Sequence, residues 1–181
     1  MTRPPTRPFR VLFLCTGNSA RSQMAEAVLN RKGAGRFEAH SAGSRPADAV
    51  HPLALWALRE SGIDWQGHAP RGLDAVQHEP WNFIITVCDR ARESCPVFPG
   101  QPITAHWGMP DPAAVTGSDA LRQAAFVDAL TMISCRIDLL LALPIEKLER
   151  LALQSRVQEI GGAVPVAEPA TANALEPRGD A

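Results

Sequence analysis

An α/β fold with a parallel sheet and helices on both faces is predicted for this chain of 181 residues. Two patterns predict it. Strand-like runs alternate with segments of helical period, and the first run is continuously apolar, as a strand buried on both faces must be. The composition agrees: 45% hydrophobic and 20% charged residues suit a soluble domain with a sizeable core.

In chain order, residues 1–9 read as a flexible arm, because Pro4, Pro5 and Pro8 bar regular structure. Arg10–Cys15 (RVLFLC) reads as a buried strand. Ser22–Lys32 follows as a helix, with Met24, Ala25, Val28 and Leu29 at helical spacing and Gly33 as its stop. Phe37–Ala42 is a second strand. His51–Ser61 has a helical period, with Pro52 in its first turn and Gly62 beyond it. Trp81–Cys88 (WNFIITVC) is rich in β-branched and aromatic residues and is the plainest strand; Pro102–His106 is a short further one. Ser118–Leu143 reads as a long amphipathic helix capped by Ser118. Leu121, Ala125, Leu130, Ile133, Ile137 and Leu141 lie along its apolar face. Pro144 breaks that pattern, and Ile145–Ile160 is one more helix, stopped at Gly161–Gly162. The chain thus divides into the arm, a main domain over residues 10–143, a C-terminal helix over 144–161 and a disordered tail over 162–181.

A net charge of −1 excludes a basic surface for nucleic acid. The longest apolar runs, Val11–Leu14 and Leu139–Leu143, are far short of the roughly 18 residues a membrane span needs, so no membrane contact is expected. No signal-peptide core follows the arm, and a cytoplasmic location is expected. In that reducing setting the four cysteines, Cys15, Cys88, Cys95 and Cys135, are read as catalytic or redox-active rather than as structural disulfides. A zinc site is disfavoured, since the chain holds no C-x-x-C pair. Cys135, inside the long helix, reads as structural.

The chemistry concentrates at Cys15-Thr16-Gly17-Asn18-Ser19-Ala20-Arg21-Ser22, a C-x5-R-S loop between a buried strand and a helix. Five residues between Cys and Arg suffice to curl the backbone into a ring of N–H groups, and Gly17 and Asn18 tolerate the left-handed angles such a turn needs. The ring lies at a helix N-terminus, where free N–H donors and the helix dipole favour anions. Arg21 can fork onto two oxygens of a tetrahedral oxyanion. The same positive surroundings are expected to hold Cys15 as a thiolate near neutral pH, with Ser22 donating a hydrogen bond to it. Thr16, Gly17, Asn18, Ser19, Ala20, Arg21 and Ser22 are therefore the expected oxyanion-binding set. Cys15 and Cys88 both end predicted strands, which can place them on one edge of the molecule.

The run VLFLCTGNSARSQMAEA resembles the opening of the low-molecular-weight tyrosine phosphatase superfamily, which includes thioredoxin-coupled arsenate reductases. The resemblance spans residues 10–143. It implies a four-stranded parallel sheet flanked by helices and, in a late loop, an Asp that acts as general acid: here Asp111 in HWGMPDP. The run VCDRARESCPVFPG is similar to the reductase branch. It implies a relay in which Cys15 attacks arsenate, Cys88 attacks Cys15 with release of arsenite, and Cys95 attacks Cys88 to leave a disulfide that thioredoxin reduces. A disulfide needs Cα atoms within about 7 Å. Seven positions of rigid helix would part Cys88 from Cys95 by about 10 Å. The segment 88–95 is therefore expected to be a helical turn or loop that partly unwinds on oxidation.

The resemblance also implies a potassium site beside the anion loop, matched by Asn18, Glu26 and Ser41. An acidic ligand expected near His68 is replaced by Arg71, which could supply the positive charge itself, so potassium dependence is not expected with any force. No other cofactor is implied; phosphate and sulfate are expected to compete with arsenate. Two other readings compete. One is a phosphatase acting on phosphotyrosine proteins through Cys15, Arg21 and Asp111, with Cys88 and Cys95 serving only as redox protection of Cys15. The other is a non-catalytic sensor whose thiols bind As(III), which would need neither the oxyanion loop nor Asp111.

Overall fold

The computed structural model describes residues 7–163; the first residues of the expected arm and most of the expected tail lie outside them. The apolar runs become β1 (Phe9–Cys15), β2 (Phe37–Gly43), β3 (Phe83–Thr86) and β4 (Ile103–His106). Between and after them run α1 (Arg21–Lys32), α2 (Pro52–Glu60), α3 (Asp89–Glu93), α4 (Asp119–Ala142) and α5 (Arg150–Ile160). All strand pairs are parallel, in the order β2-β1-β3-β4. This is the four-stranded α/β architecture expected.

β1 is central, and Val11–Cys15 are all buried, which is why its sequence does not alternate. The chain moves outward from β1 to β2 through α1, then recrosses β1 to reach β3. Connections leave in opposite directions at that reversal, and a crevice opens at the carboxyl ends of β1 and β3. Cys15 ends β1, and Cys88 follows β3 at the same edge. β3 is shorter than expected. Trp81 leaves the ladder to donate its indole N–H to the Val76 carbonyl at 2.9 Å.

Both open edges of the sheet are closed by carboxamides. Asn30 of α1 accepts from the Ala39 N–H at 2.8 Å and donates to its carbonyl at 2.9 Å, as a neighbouring strand would. Gln154 of α5 does the same for Thr104, accepting from its N–H at 3.1 Å and donating to its carbonyl. Edge strands left open invite pairing with other chains. The C-terminal helix thus covers β4 and satisfies its outer edge.

Two helical expectations change. The continuous helix expected over 145–160 is broken into a single turn at Ile145–Lys147 and α5, with Leu148 and Glu149 extended between them. The break lets the chain turn a corner. Arg36 holds the carbonyls of Leu141 and Leu143, each at 2.6 Å, while Ile145 packs into the core. The buried stripe of α4 includes Leu130, Ile133 and Ile137 as expected, but also Phe126 and Arg136, whereas Leu121 is exposed. None of the helices described is long and apolar enough to cross a membrane.

Gln154→Leu removes both bonds to Thr104. It should lower stability by about 1 kcal/mol, seen as a fall in Tm of about 2–4 °C. In hydrogen exchange the Thr104 amide should lose protection; unchanged protection there would show that the carboxamide does not close the edge.

Candidate active site

The loop after β1 is shaped from outside. Backbone N–H groups of the segment following β2 take its carbonyls: Ser44 bonds Cys15 at 3.2 Å, Arg45 bonds Thr16 at 2.9 Å, Ala47 bonds Gly17 at 2.9 Å and His51 bonds Ser19 at 2.8 Å. With its carbonyls held outward, the loop turns its N–H groups inward, as anion-binding concavities do. Asn18 takes φ 48°, the left-handed conformation anticipated for it. Its N–H points at Cys15 Sγ, 3.1 Å away. Its fully buried carboxamide donates to Ser22 Oγ at 2.9 Å and Ser41 Oγ at 2.8 Å, and accepts from the Arg71 N–H at 3.0 Å. Gly43, at the end of β2, makes this packing possible: a Cβ there would lie 2.5 Å from the Thr16 carbonyl oxygen.

Cys15 is buried, with Ser22 Oγ 2.9 Å from its sulfur. Burial pushes the thiol up. Hydrogen bonds from the Ser22 hydroxyl and from the Asn18 and Ser22 N–H groups pull it back. Burial is the larger effect, so the thiolate expected near neutral pH is opposed rather than favoured. Asn18 and Ser22 lie under the sulfur and touch it, while Thr16, Gly17, Ser19, Ala20 and Arg21 line a pocket of about 560 Å³.

Cys88 lines the same pocket, its sulfur 3.3 Å from Thr16 Oγ1. Asp111 stands on the rim. Arg21 turns toward the Asp loop, donating to the Met109 carbonyl at 3.1 Å and pairing with Asp111 Oδ2 at 2.9 Å. Cys95 is half-buried in a neighbouring cavity of about 630 Å³ with Arg92, Phe98 and His106, and burial pushes its thiol up. α3 stands between the two cysteines, with Cys88 at its N-terminal boundary, and all four cysteines are free thiols. Cys135 lies half-buried on α4 and lines neither cavity.

Asn18, Glu26 and Ser41 do meet. Ser41 Oγ donates to Glu26 at 2.5 Å, and His68 Nε2 lies 2.8 Å from the same carboxylate oxygen. Arg71 Nε donates to the Ser41 carbonyl at 2.9 Å. Asn18 Oδ1 and one of the two Glu26 carboxylate oxygens thus already have partners within the protein. Among the described residues no group of three or more His, Cys, Asp or Glu could hold a metal ion. The sequence reading missed Gly43 and the carbonyl-binding segment Ser44–His51. A Gly-Ser step directly after a strand was their only signal.

The profile of the family described as low molecular weight phosphotyrosine protein phosphatase matches residues 10–152. An arsenate reductase from Halalkalibacterium halodurans is 36% identical over 116 residues, 64% of this chain and 83% of that one. Among solved structures, an arsenate reductase from Archaeoglobus fulgidus superposes with a TM-score of 0.58 at 32% identity, covering 74% of this chain and 99% of that one. A thioredoxin-dependent arsenate reductase from Corynebacterium glutamicum gives a TM-score of 0.57 at 30% identity, over 76% of this chain and 62% of that one.

Ser22→Ala removes one donor to the Cys15 sulfur. Because burial already raises this thiol, alkylation of Cys15 by iodoacetamide should increase with pH, and the variant should shift that increase to higher pH. At pH 7 the variant should react about ten-fold more slowly. Equal rates across the pH range would remove Ser22 from thiolate stabilisation.

Proposed function

The chain belongs to the low molecular weight phosphotyrosine protein phosphatase family, and within it we propose an arsenate reductase whose two reacting thiols share one oxyanion pocket. The observation that carries this reading is the place of Cys88. A phosphatase regenerates its thiolate with water and needs one sulfur at the anion. Here a second buried thiol lines the same pocket, against Thr16.

In the proposed sequence, arsenate enters the ring of loop N–H groups and Arg21 exchanges Asp111 for the anion. Cys15 Sγ attacks arsenic, and Asp111 gives a proton to the departing oxygen, which leaves as water. Cys88 then attacks Cys15 Sγ. The electron pair of the sulfur–arsenic bond passes to arsenic, arsenite departs and a Cys15–Cys88 disulfide remains. Cys95 attacks Cys88, freeing Cys15 and leaving a Cys88–Cys95 disulfide. A dithiol reductant resets it; thioredoxin is the natural candidate, since the Corynebacterium glutamicum protein is thioredoxin-dependent. Arsenic detoxification is the role such turnover serves. Phosphate and sulfate, tetrahedral anions of like charge, compete for the loop. The proposed reaction needs no potassium ion: Arg71 N–H already donates to Asn18 Oδ1, and Glu26 Oε2 already accepts from Ser41 Oγ with His68 Nε2 2.8 Å away. No step is routed through one.

The relay fixes a stoichiometry. With arsenate, thioredoxin, thioredoxin reductase and NADPH, the native chain should oxidise NADPH continuously. Cys95→Ser should release one arsenite per chain and stop as the Cys15–Cys88 disulfide, and Cys88→Ser should release none. Hydrolysis of an aryl phosphate that survives both substitutions, with no arsenate-dependent NADPH oxidation, would make the protein a phosphatase instead.

A further inference from the structure

Arg136 is the charged residue in the buried stripe of α4, 4% exposed, and it forms no ion pair among the described residues. Burying a cation without a carboxylate is costly unless its donors are satisfied. Arg136 makes three bonds to backbone carbonyls: Nη1 donates to Trp107 at 2.8 Å and to Gly108 at 3.1 Å, and Nη2 donates to Gly161 at 2.8 Å. Its Nε has no partner. Two of the three carbonyls belong to the loop that carries Asp111; the third ends α5.

Other contacts tighten the same joint. The Trp107 indole N–H donates to the Val157 carbonyl of α5 at 3.0 Å, and its ring packs on Phe13 of β1, with ring centres 6.0 Å apart. Gly161 has φ −59°, which suits any residue. Yet a Cβ there would overlap the His106 carbonyl oxygen and come within 3.1 Å of the Trp107 side chain. α4, α5 and the root of the loop are thus locked together, while at the far end of the loop Met109 and Asp111 meet Arg21.

We propose that Arg136, with Gly161, is a positioning residue for Asp111: the clamp fixes the root of the acid loop and so the place of the Asp111 carboxyl over the anion pocket. The inference rests on the reading of Asp111 as proton donor. A displacement of about 1 Å at a reacting group can cost about a hundred-fold in rate, so a clamp remote from the chemistry can still set its speed.

A double-mutant cycle tests it. Arg136→Met, Arg136→Lys and Gly161→Ala are each made in the native chain and in Asp111→Asn. The rate of first-turnover thiol loss is measured with reduced protein at sub-saturating arsenate, beside thermal melts and protection of Cys15 from iodoacetamide by inorganic phosphate. Arg136→Met and Gly161→Ala should slow the native chain roughly 10- to 100-fold. Both should change the Asp111→Asn chain less than about two-fold and leave phosphate protection intact, and Arg136→Lys should recover part of the rate. Equal losses in both backgrounds would make the clamp merely structural and overturn the proposal. Asp111→Asn without effect would sink the proton-donor reading itself, and the proposal with it. If Arg136→Met does not fold, Gly161→Ala decides alone, and a native rate in that variant overturns the clamp.

Discussion

The Asn18 side chain sits where three parts of the chain meet, and its hydrogen bonds leave them no freedom relative to one another. One amide hydrogen goes to Ser22 at the start of α1, the other to Ser41 in β2, and its oxygen accepts from Arg71. Its backbone, held left-handed, aims an N–H at the sulfur of Cys15. A buried carboxamide so fully used cannot be exchanged for an apolar residue without stranding several partners, each at a cost of about 1–3 kcal/mol. The curvature of the anion loop, the outward set of its carbonyls and the tight approach of Gly43 all presuppose this one side chain.

From that fixed loop the three cysteines of the proposed relay are set out in order. Cys15 and Cys88 lie in one pocket and Cys95 in the next, with α3 between them. A helix of five residues is too short to be stable by itself. α3 is held by what it touches, including the Asp89–His106 pair at 2.9 Å, in which the Asp89 side chain is 86% exposed. Exposed pairs of this kind contribute little. The proposed relay asks this segment to unwind so that Cys88 can meet Cys95, and its exposed ion pair adds little to oppose that, whereas Cys88 and Ala91 are buried.

Local patterns in the sequence indicated the parallel α/β sheet and the loop after β1; the strand count and the expected roles of Cys88, Cys95 and Asp111 came from the family resemblance. RVLFLC suits a strand buried on both faces, and C-x5-R-S between strand and helix suits an anion loop. Cys88, ending another predicted strand, was expected on the same edge, and it lines the pocket with Cys15. What escapes such patterns depends on contacts distant in sequence. Arg136 looks like one more surface charge of an amphipathic helix until Trp107, Gly108 and Gly161 are brought to it from 25 or more positions away. Sequence alone casts Arg71 as a substitute cation, yet its backbone N–H, to which sequence gives no clue, also holds the Asn18 carboxamide. The thiolate expected of Cys15 follows from the positive loop alone; the opposing effect, burial among β1, β2 and α1, appears only once the chain is folded.

The ion pair between Arg21 and Asp111 has an electrostatic consequence for how the anion arrives. The pocket is lined by two cationic side chains, Arg21 and Arg90, and two anionic ones, Asp89 and Asp111. Seen from beyond a Debye length of about 8 Å in physiological salt, their formal charges cancel. The pocket exerts little long-range pull on a passing oxyanion, and encounter should depend only weakly on ionic strength. In the proposed sequence attraction arises at contact, when the anion takes the place of Asp111 on the Arg21 guanidinium. Selectivity then lies in the fit of a tetrahedral anion to the ring of amides rather than in a field that gathers every anion indiscriminately.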